Sequence, residues 1–141
     1  LVKVSRTALN ESFEELRERL HEELDYTHEA CNVRLFRAFH ARHPFVVIPE
    51  GVGERSSKRV LTLTYEPGDS MQKAGETYDR ATLDLLGLHL FTVMTSEIFE
   101  LGAIHGDPNP GNFACRPNGD VVIYDFGCVK QLKPAILSAY R

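Results

Sequence analysis

The sequence predicts an α+β fold in which helices and short strands alternate along 141 residues. Three observations predict it. Phe13, Leu16, Leu20, Leu24, Cys31, Leu35 and Phe39 recur at roughly helical spacing. Two short apolar runs, Phe45-Val46-Val47-Ile48-Pro49 and Arg59-Val60-Leu61-Thr62-Leu63-Thr64-Tyr65, are rich in β-branched residues. Asn118-Gly119 is the strongest short hairpin signal a sequence carries.

The elements follow in order. Ser12-Phe13-Glu14-Glu15 reads as a capping box opening a helix. That helix runs to about His40, with an interruption near Tyr26-Thr27, and His43-Pro44 ends it. A strand at 45–49, a loop from Glu50 to Ser57 and a strand at 59–65 come next. Glu66-Pro67-Gly68-Asp69 breaks the second strand, and a mobile link runs to Thr77. A long helix from about Tyr78 to Leu101 is apolar nearly all round, which predicts a buried central helix. A membrane helix competes, but Asp84, His89, Glu97 and Glu100 argue against it. Gly102 is a good helix stop. A loop, the hairpin and a last helix near Lys133-Pro134 complete the chain.

Composition is that of an ordinary soluble globular domain, 43% hydrophobic and 26% charged. A net charge of −4 gives no footprint for nucleic acid. Cys31, Cys115 and Cys128 are odd in number and lack a C-x-x-C pair, so neither a disulfide framework nor a zinc site is expected. Reduced thiols and a cytoplasmic setting are the default. No signal peptide and no uninterrupted apolar run long enough to span a bilayer is visible. The chain opens on Leu1 and closes on Arg141 inside an apparent helix, so a fragment of a longer protein is expected.

The chemistry concentrates in His105-Gly106-Asp107-Pro108-Asn109-Pro110-Gly111-Asn112 and, after the hairpin, Asp125-Phe126-Gly127. With Asn118 and Gly119 as the central turn residues, Asn112 is expected to face Asp125. Facing residues of an antiparallel pair have Cβ atoms about 4.5–5.5 Å apart. An amide oxygen and a carboxylate suit Mg²⁺, which takes few protein ligands and otherwise holds water and phosphate oxygens. Asp107, a separate carboxylate, can orient a hydroxyl or water. Asp-Phe-Gly alone is weak, because Asp and Gly are common turn residues. The ordered set His-x-Asp-x-x-x-x-Asn, hairpin, Asp-Phe-Gly is far more specific. It is the layout of a kinase-like phosphoryl-transfer site, with Asp107 and His105 as catalytic candidates and Asn112 and Asp125 as metal candidates. His105 is expected to hold the loop by hydrogen bonding rather than to move protons. Residues 1–66 then read as the remnant of an N-terminal lobe, 67–77 as a hinge, and 78–141 as part of a C-terminal lobe.

With these residues in hand, the chain resembles the UbiB/AarF group of atypical protein-kinase-like proteins, linked to ubiquinone (coenzyme Q) biosynthesis. Three blocks carry the likeness. They are Glu23-Leu24-Asp25-Tyr26-Thr27-His28-Glu29-Ala30, Val60 to Gly68, and His105 to Asn112 with Asp125-Phe126-Gly127. The first block separates this group from other kinase-like folds. The resemblance implies ATP and Mg²⁺ as cofactors. It makes Glu29 the helix glutamate that pairs with an ATP-contacting strand lysine. It sets Glu23 and Asp25 against a K-x-G-Q segment covering the site. Tyr65 and Glu66 would offer backbone groups to adenine, and Gly127 would permit the sharp turn after Asp125. Quinone-biosynthesis proteins and membrane lipid are the implied partners, with a peripheral place at an inner membrane. Asp25 and Glu29, four apart, are expected on one helical face, with Glu23 pointing elsewhere.

The chain also departs from that group. The alanine-rich nucleotide loop, the strand lysine and K-x-G-Q are absent and belong before Leu1. Thr64 stands where an acidic hinge residue is common, and Asn109 replaces a common histidine. Turnover by the isolated chain is therefore expected to be weak or nil. Two other readings compete. A small-molecule phosphotransferase of the aminoglycoside or choline kinase type also uses a His-Gly-Asp loop. A non-catalytic nucleotide-binding scaffold is the other.

Overall fold

The computed structural model describes residues 13, 17 and 25–139. The capping box at Ser12 and the Glu23 position lie outside the described residues. Phe13 and Arg17 are helical. The interruption expected near Tyr26-Thr27 is a fresh helix start. Helix α1 spans Tyr26–His40, and Asp25 caps it by accepting a 3.1 Å bond from the Thr27 amide. Asp25 thus leaves the helical face it was expected to share with Glu29. Val33 and Phe36 turn into the core, and His40 is buried at the last turn.

Strand β1 (Val46–Val47) lies parallel to β4 (Val121–Ile123), which pairs antiparallel with β3 (Phe113–Cys115), giving the order β1-β4-β3. All three β4 residues are buried, as a central strand with both faces covered requires. β2 (Ala103–Ile104) and β5 (Lys130–Gln131) form a separate antiparallel pair.

Further sequence expectations need correction. The stretch 59–65 forms no continuous strand. It makes isolated bridges, Ser57 with Val60 and Gly51 with Leu63. Its partner is a loop that turns through a 3₁₀ segment at Gly53–Arg55, so the ladder cannot propagate. The link to Thr77 is not loose chain: α2 spans Met71–Thr77, capped by the Ser70 hydroxyl accepting from the Lys73 amide. Asp69 upstream exchanges two 2.8 Å backbone bonds with Cys115, which ties the link to β3.

The long helix is not buried all round. α3 (Arg80–Ser96) continues through a π-turn at Glu97–Leu101 and stops on Gly102 at φ 70°. Leu86 and Val93 enter the core, but Leu88, Phe91 and Met94 are 59%, 67% and 57% exposed. The described elements pack on one side of α3 only, so its apolar residues on the other side meet solvent. Arg80–Leu101 is also, by length and composition alone, apolar enough to cross a bilayer, contrary to expectation. It packs on β4 and buries Glu97, but only 22% of that apolar window is buried. The last helix, α4 (Pro134–Ala139), begins as expected.

The hairpin register is one residue off the expected one. Phe113 faces Ile123, Ala114 faces Val122 and Cys115 faces Val121. Arg116 donates to Asp120 O at 3.0 Å, and Gly119 closes the turn at φ 89°. Pro117 is the cause. A two-residue Asn-Gly turn needs an N–H at position 117, which proline lacks, so Pro117 moves into a three-residue loop. Asn112 consequently pairs with Tyr124, whose amide donates to its carbonyl at 3.0 Å, and not with Asp125.

Candidate active site

The loop between β2 and β3 starts from a buried anchor. The His105 amide donates to Glu97 Oε2 at 3.2 Å, and His105 is 8% exposed. Its Nδ1 accepts from the Asp107 amide at 3.4 Å, and among the described residues its buried Nε2 has no hydrogen-bond partner. The ring packs against Phe113 and Phe126. Gly106 follows at φ 79°, and a Cβ there would strike the Cys128 carbonyl.

Asp107 and Asn112 meet directly. Asn112 Nδ2 donates to Asp107 Oδ2 at 2.8 Å, while Asp107 Oδ1 accepts from the Asn109 amide at 3.2 Å. The short 3₁₀ turn Pro110–Asn112, capped by Asn109, sets that geometry. With its nitrogen turned to Asp107, Asn112 keeps Oδ1 as a hard oxygen donor. Asp125 follows Tyr124, the hairpin partner of Asn112, so the slipped register still delivers both to one end of the hairpin. Asp125 Oδ1 accepts from the Gly127 amide at 2.8 Å, which is how Gly127 serves the turn.

Helix α1 reaches the same turn. Glu29 Oε1 accepts from the Phe126 amide at 3.5 Å. Burial pushes the Glu29 carboxyl above its usual value, the Asp125 charge adds to that, and the Phe126 amide opposes it. Among the described residues no basic side chain bonds Glu29 or Asp125. Glu29 and Asp125 are thus neighbouring carboxylates, each disfavouring the other's charge. Among the described residues no group of three or more His, Cys, Asp or Glu side chains is placed to hold a metal ion.

Other expected site residues lie apart from this point. The Asp25 carboxyl is held below its usual value, chiefly by the Thr27 hydroxyl and also by Lys58 at 3.3 Å, and it serves as a helix cap. Tyr65 is 88% exposed. The Glu66 carbonyl accepts from the Tyr124 hydroxyl at 2.7 Å, and its carboxylate pairs with Arg116 at 2.8 Å. Sequence reasoning missed two residues, Asn32 and Glu97. Asn32 Nδ2 donates to Phe126 O at 2.9 Å, and Glu97 is 2% exposed against His40. Asn32 stands one turn beyond Glu29, and Glu97 is a lone acid in an apolar helix. Those were their only sequence signals.

A helix over a turn of Asp-Phe-Gly, an Asp-x-x-x-x-Asn loop and a paired hairpin define a partial kinase-like fold. The match to known proteins agrees. Residues 1–141 match the model of the ABC1 atypical kinase-like domain, so the chain belongs to that family, the UbiB/AarF type. An uncharacterized protein of Synechocystis is 35% identical over 79% of this chain and 20% of its own length. Protein ACTIVITY OF BC1 COMPLEX KINASE 3, chloroplastic, of Arabidopsis thaliana is 31% identical over 80% of this chain and 16% of its own. Among solved structures, Rv3197 of Mycobacterium tuberculosis, in complex with erythromycin, superposes with a TM-score of 0.74 at 34% identity. That match covers 84% of this chain and 30% of Rv3197. The chain thus spans about a fifth of the curated relatives it matches.

Proposed function

We propose that this chain carries the metal-handling and hydroxyl-orienting part of an ATP- and Mg²⁺-dependent atypical kinase or ATPase. The observation that carries the reading is the Asn112–Asp107 bond at 2.8 Å, made by a residue whose hairpin partner, Tyr124, precedes Asp125. It presents a metal-ligand oxygen and a carboxylate in one unit. Asn112 Oδ1 and Asp125 would hold Mg²⁺, which neutralises charge on the transferring phosphoryl group when bound. Asp107 orients or accepts the proton of the attacking hydroxyl or water. Glu29 stands ready to pair with a lysine from an upstream strand, and the Tyr65–Glu66 backbone to meet adenine. The family resemblance extends the reading to support of ubiquinone biosynthesis, peripherally at a membrane and with quinone-biosynthesis proteins.

The test is a thermal-shift titration with ATP, with and without Mg²⁺, beside Asp125→Ala. A ligand of the folded state stabilises it by RT ln(1 + [L]/Kd), about 2.7 kcal/mol at a hundredfold excess over Kd. The expected result is a Mg²⁺-dependent shift that Asp125→Ala abolishes. A shift that Asp125→Ala leaves intact would overturn the metal assignment.

A further inference from the structure

Asp125 is followed by Phe126, a residue whose backbone N–H and C=O are both held by helix α1. Glu29 accepts from the Phe126 N–H at 3.5 Å, and Asn32 donates to the Phe126 carbonyl at 2.9 Å. One turn further on, Phe36 packs on the Phe126 ring with centroids 5.1 Å apart, and both rings are wholly buried. Residues 29, 32 and 36 stand at i, i+3 and i+7, so a single face of α1 is given over to this one residue. The two hydrogen bonds bridge 94 and 97 positions of sequence.

We infer that Asn32 is a positioning residue for metal binding: it locks the Asp125-Phe126-Gly127 turn to α1 so that Asp125 presents its carboxylate to the cation. This rests on the metal assignment proposed above. The Glu29 bond is long, and its carboxylate sits beside a like charge. The Asn32 bond is short, neutral and indifferent to a cation. It holds the turn when Glu29 is drawn toward a lysine. Without it the Phe126 carbonyl must find water, and the turn can rotate about the peptides on either side of Phe126. Asn32 makes no hydrogen bond to Asp107, Asn112 or the 65–66 segment. Its loss therefore weakens the metal step and leaves other contacts to nucleotide in place.

The experiment has two arms on the full chain, with Asn32→Ala and the equal-sized Asn32→Asp, which lacks the donor. The first is amide hydrogen exchange without ligand. The Phe126 and Gly127 amides are expected to exchange about fivefold faster in both variants, the net worth of one hydrogen bond. Peptides from α3 are expected to be unchanged. Unchanged exchange at 126–127 overturns the inference. The second arm compares the Mg²⁺ concentration for half-saturation at saturating ATP with ATP binding in EDTA. The first is expected to rise about fivefold and the second to stay constant. An equal change in both, or a lowered melting temperature with no Mg²⁺ effect, reduces Asn32 to packing and overturns the inference. If the wild-type chain gives no Mg²⁺-dependent response, the proposed function fails by itself. The exchange arm then decides whether Asn32 holds the turn.

Discussion

His40 Nε2 and Glu97 Oε1 meet at 3.1 Å, with their side chains 1% and 3% exposed. They join the end of α1 to the π-turn of α3, and Glu97 spends its other oxygen on the His105 amide. His40 is held in turn by His43, the two Nδ1 atoms 3.0 Å apart. A buried carboxylate thus braces the root of the catalytic loop against the helix that carries Glu29. Glu97→Ala takes the partner from buried His40 Nε2 and from the His105 amide. It is expected to cost about 1–3 kcal/mol for each orphaned group in urea unfolding. Glu97→Gln still accepts from His105 and can donate to His40, so it should recover most of that loss. Equal losses in the two variants would count against the brace.

The Glu29 carboxyl titrates above its ordinary value of 4.5 because burial and the Asp125 charge disfavour its ionised form. A carboxyl raised on folding weakens the fold at neutral pH, and the weakening fades as pH falls through the raised value. Glu29→Gln is therefore expected to stabilise the free chain at pH 7. Glu29 is half-buried, so the gain after solvent screening is about a few tenths of a kcal/mol. Thermal melts from pH 7 to pH 4 should show the two proteins converging at the acid end. Divergence there would place the perturbation elsewhere.

Two glycines of one loop should behave oppositely. Gly106 has φ 79°, and its missing Cβ points into the Cys128 carbonyl. The left-handed backbone alone costs an alanine about 1–2 kcal/mol, and the backbone contact adds to it. Gly106→Ala is expected to destabilise by at least about 2 kcal/mol. At Gly111 a Cβ would meet only Asn109 Oδ1, at 3.4 Å. Gly111→Ala should stay within about 0.5 kcal/mol of wild type by chemical denaturation.

The motif residues were legible because their chemistry is local. His105, Asp107 and Asn112 sit within one loop, and the Asp125 turn follows a hairpin that Asn118-Gly119 announced. The register failed on one residue, since Pro117 cannot supply the N–H that the shorter turn demands. The strand at 59–65 failed because β propensity expresses a fit to neighbours, and the neighbour here is a curved loop. The α2 helix was hidden beside Pro67 and Gly68, although Ser70 with Gln72, Lys73, Ala74 and Glu76 is a capped run of adequate helix formers. Asn32 and Glu97 were illegible as partners because their contacts cross 94 and 57 residues. An acid in an apolar helix argues against a membrane span and marks a buried partner equally well.

The exposed side of α3 gives the last expectation. Leu88, Phe91 and Met94 present a contiguous apolar strip at i, i+3 and i+6, each more than half exposed. Such a strip favours self-association in water. Phe91→Lys removes its centre without touching Leu86 or Val93, which carry the packing of α3 on the core. The melting temperature should hold, because a substitution at an exposed site away from caps and buried partners stays within about 0.5 kcal/mol. Light scattering against concentration should show less association for the variant than for the wild-type chain. A fall of many degrees in melting temperature would instead mean that Phe91 is covered in solution, and that α3 has the all-round burial its composition predicted.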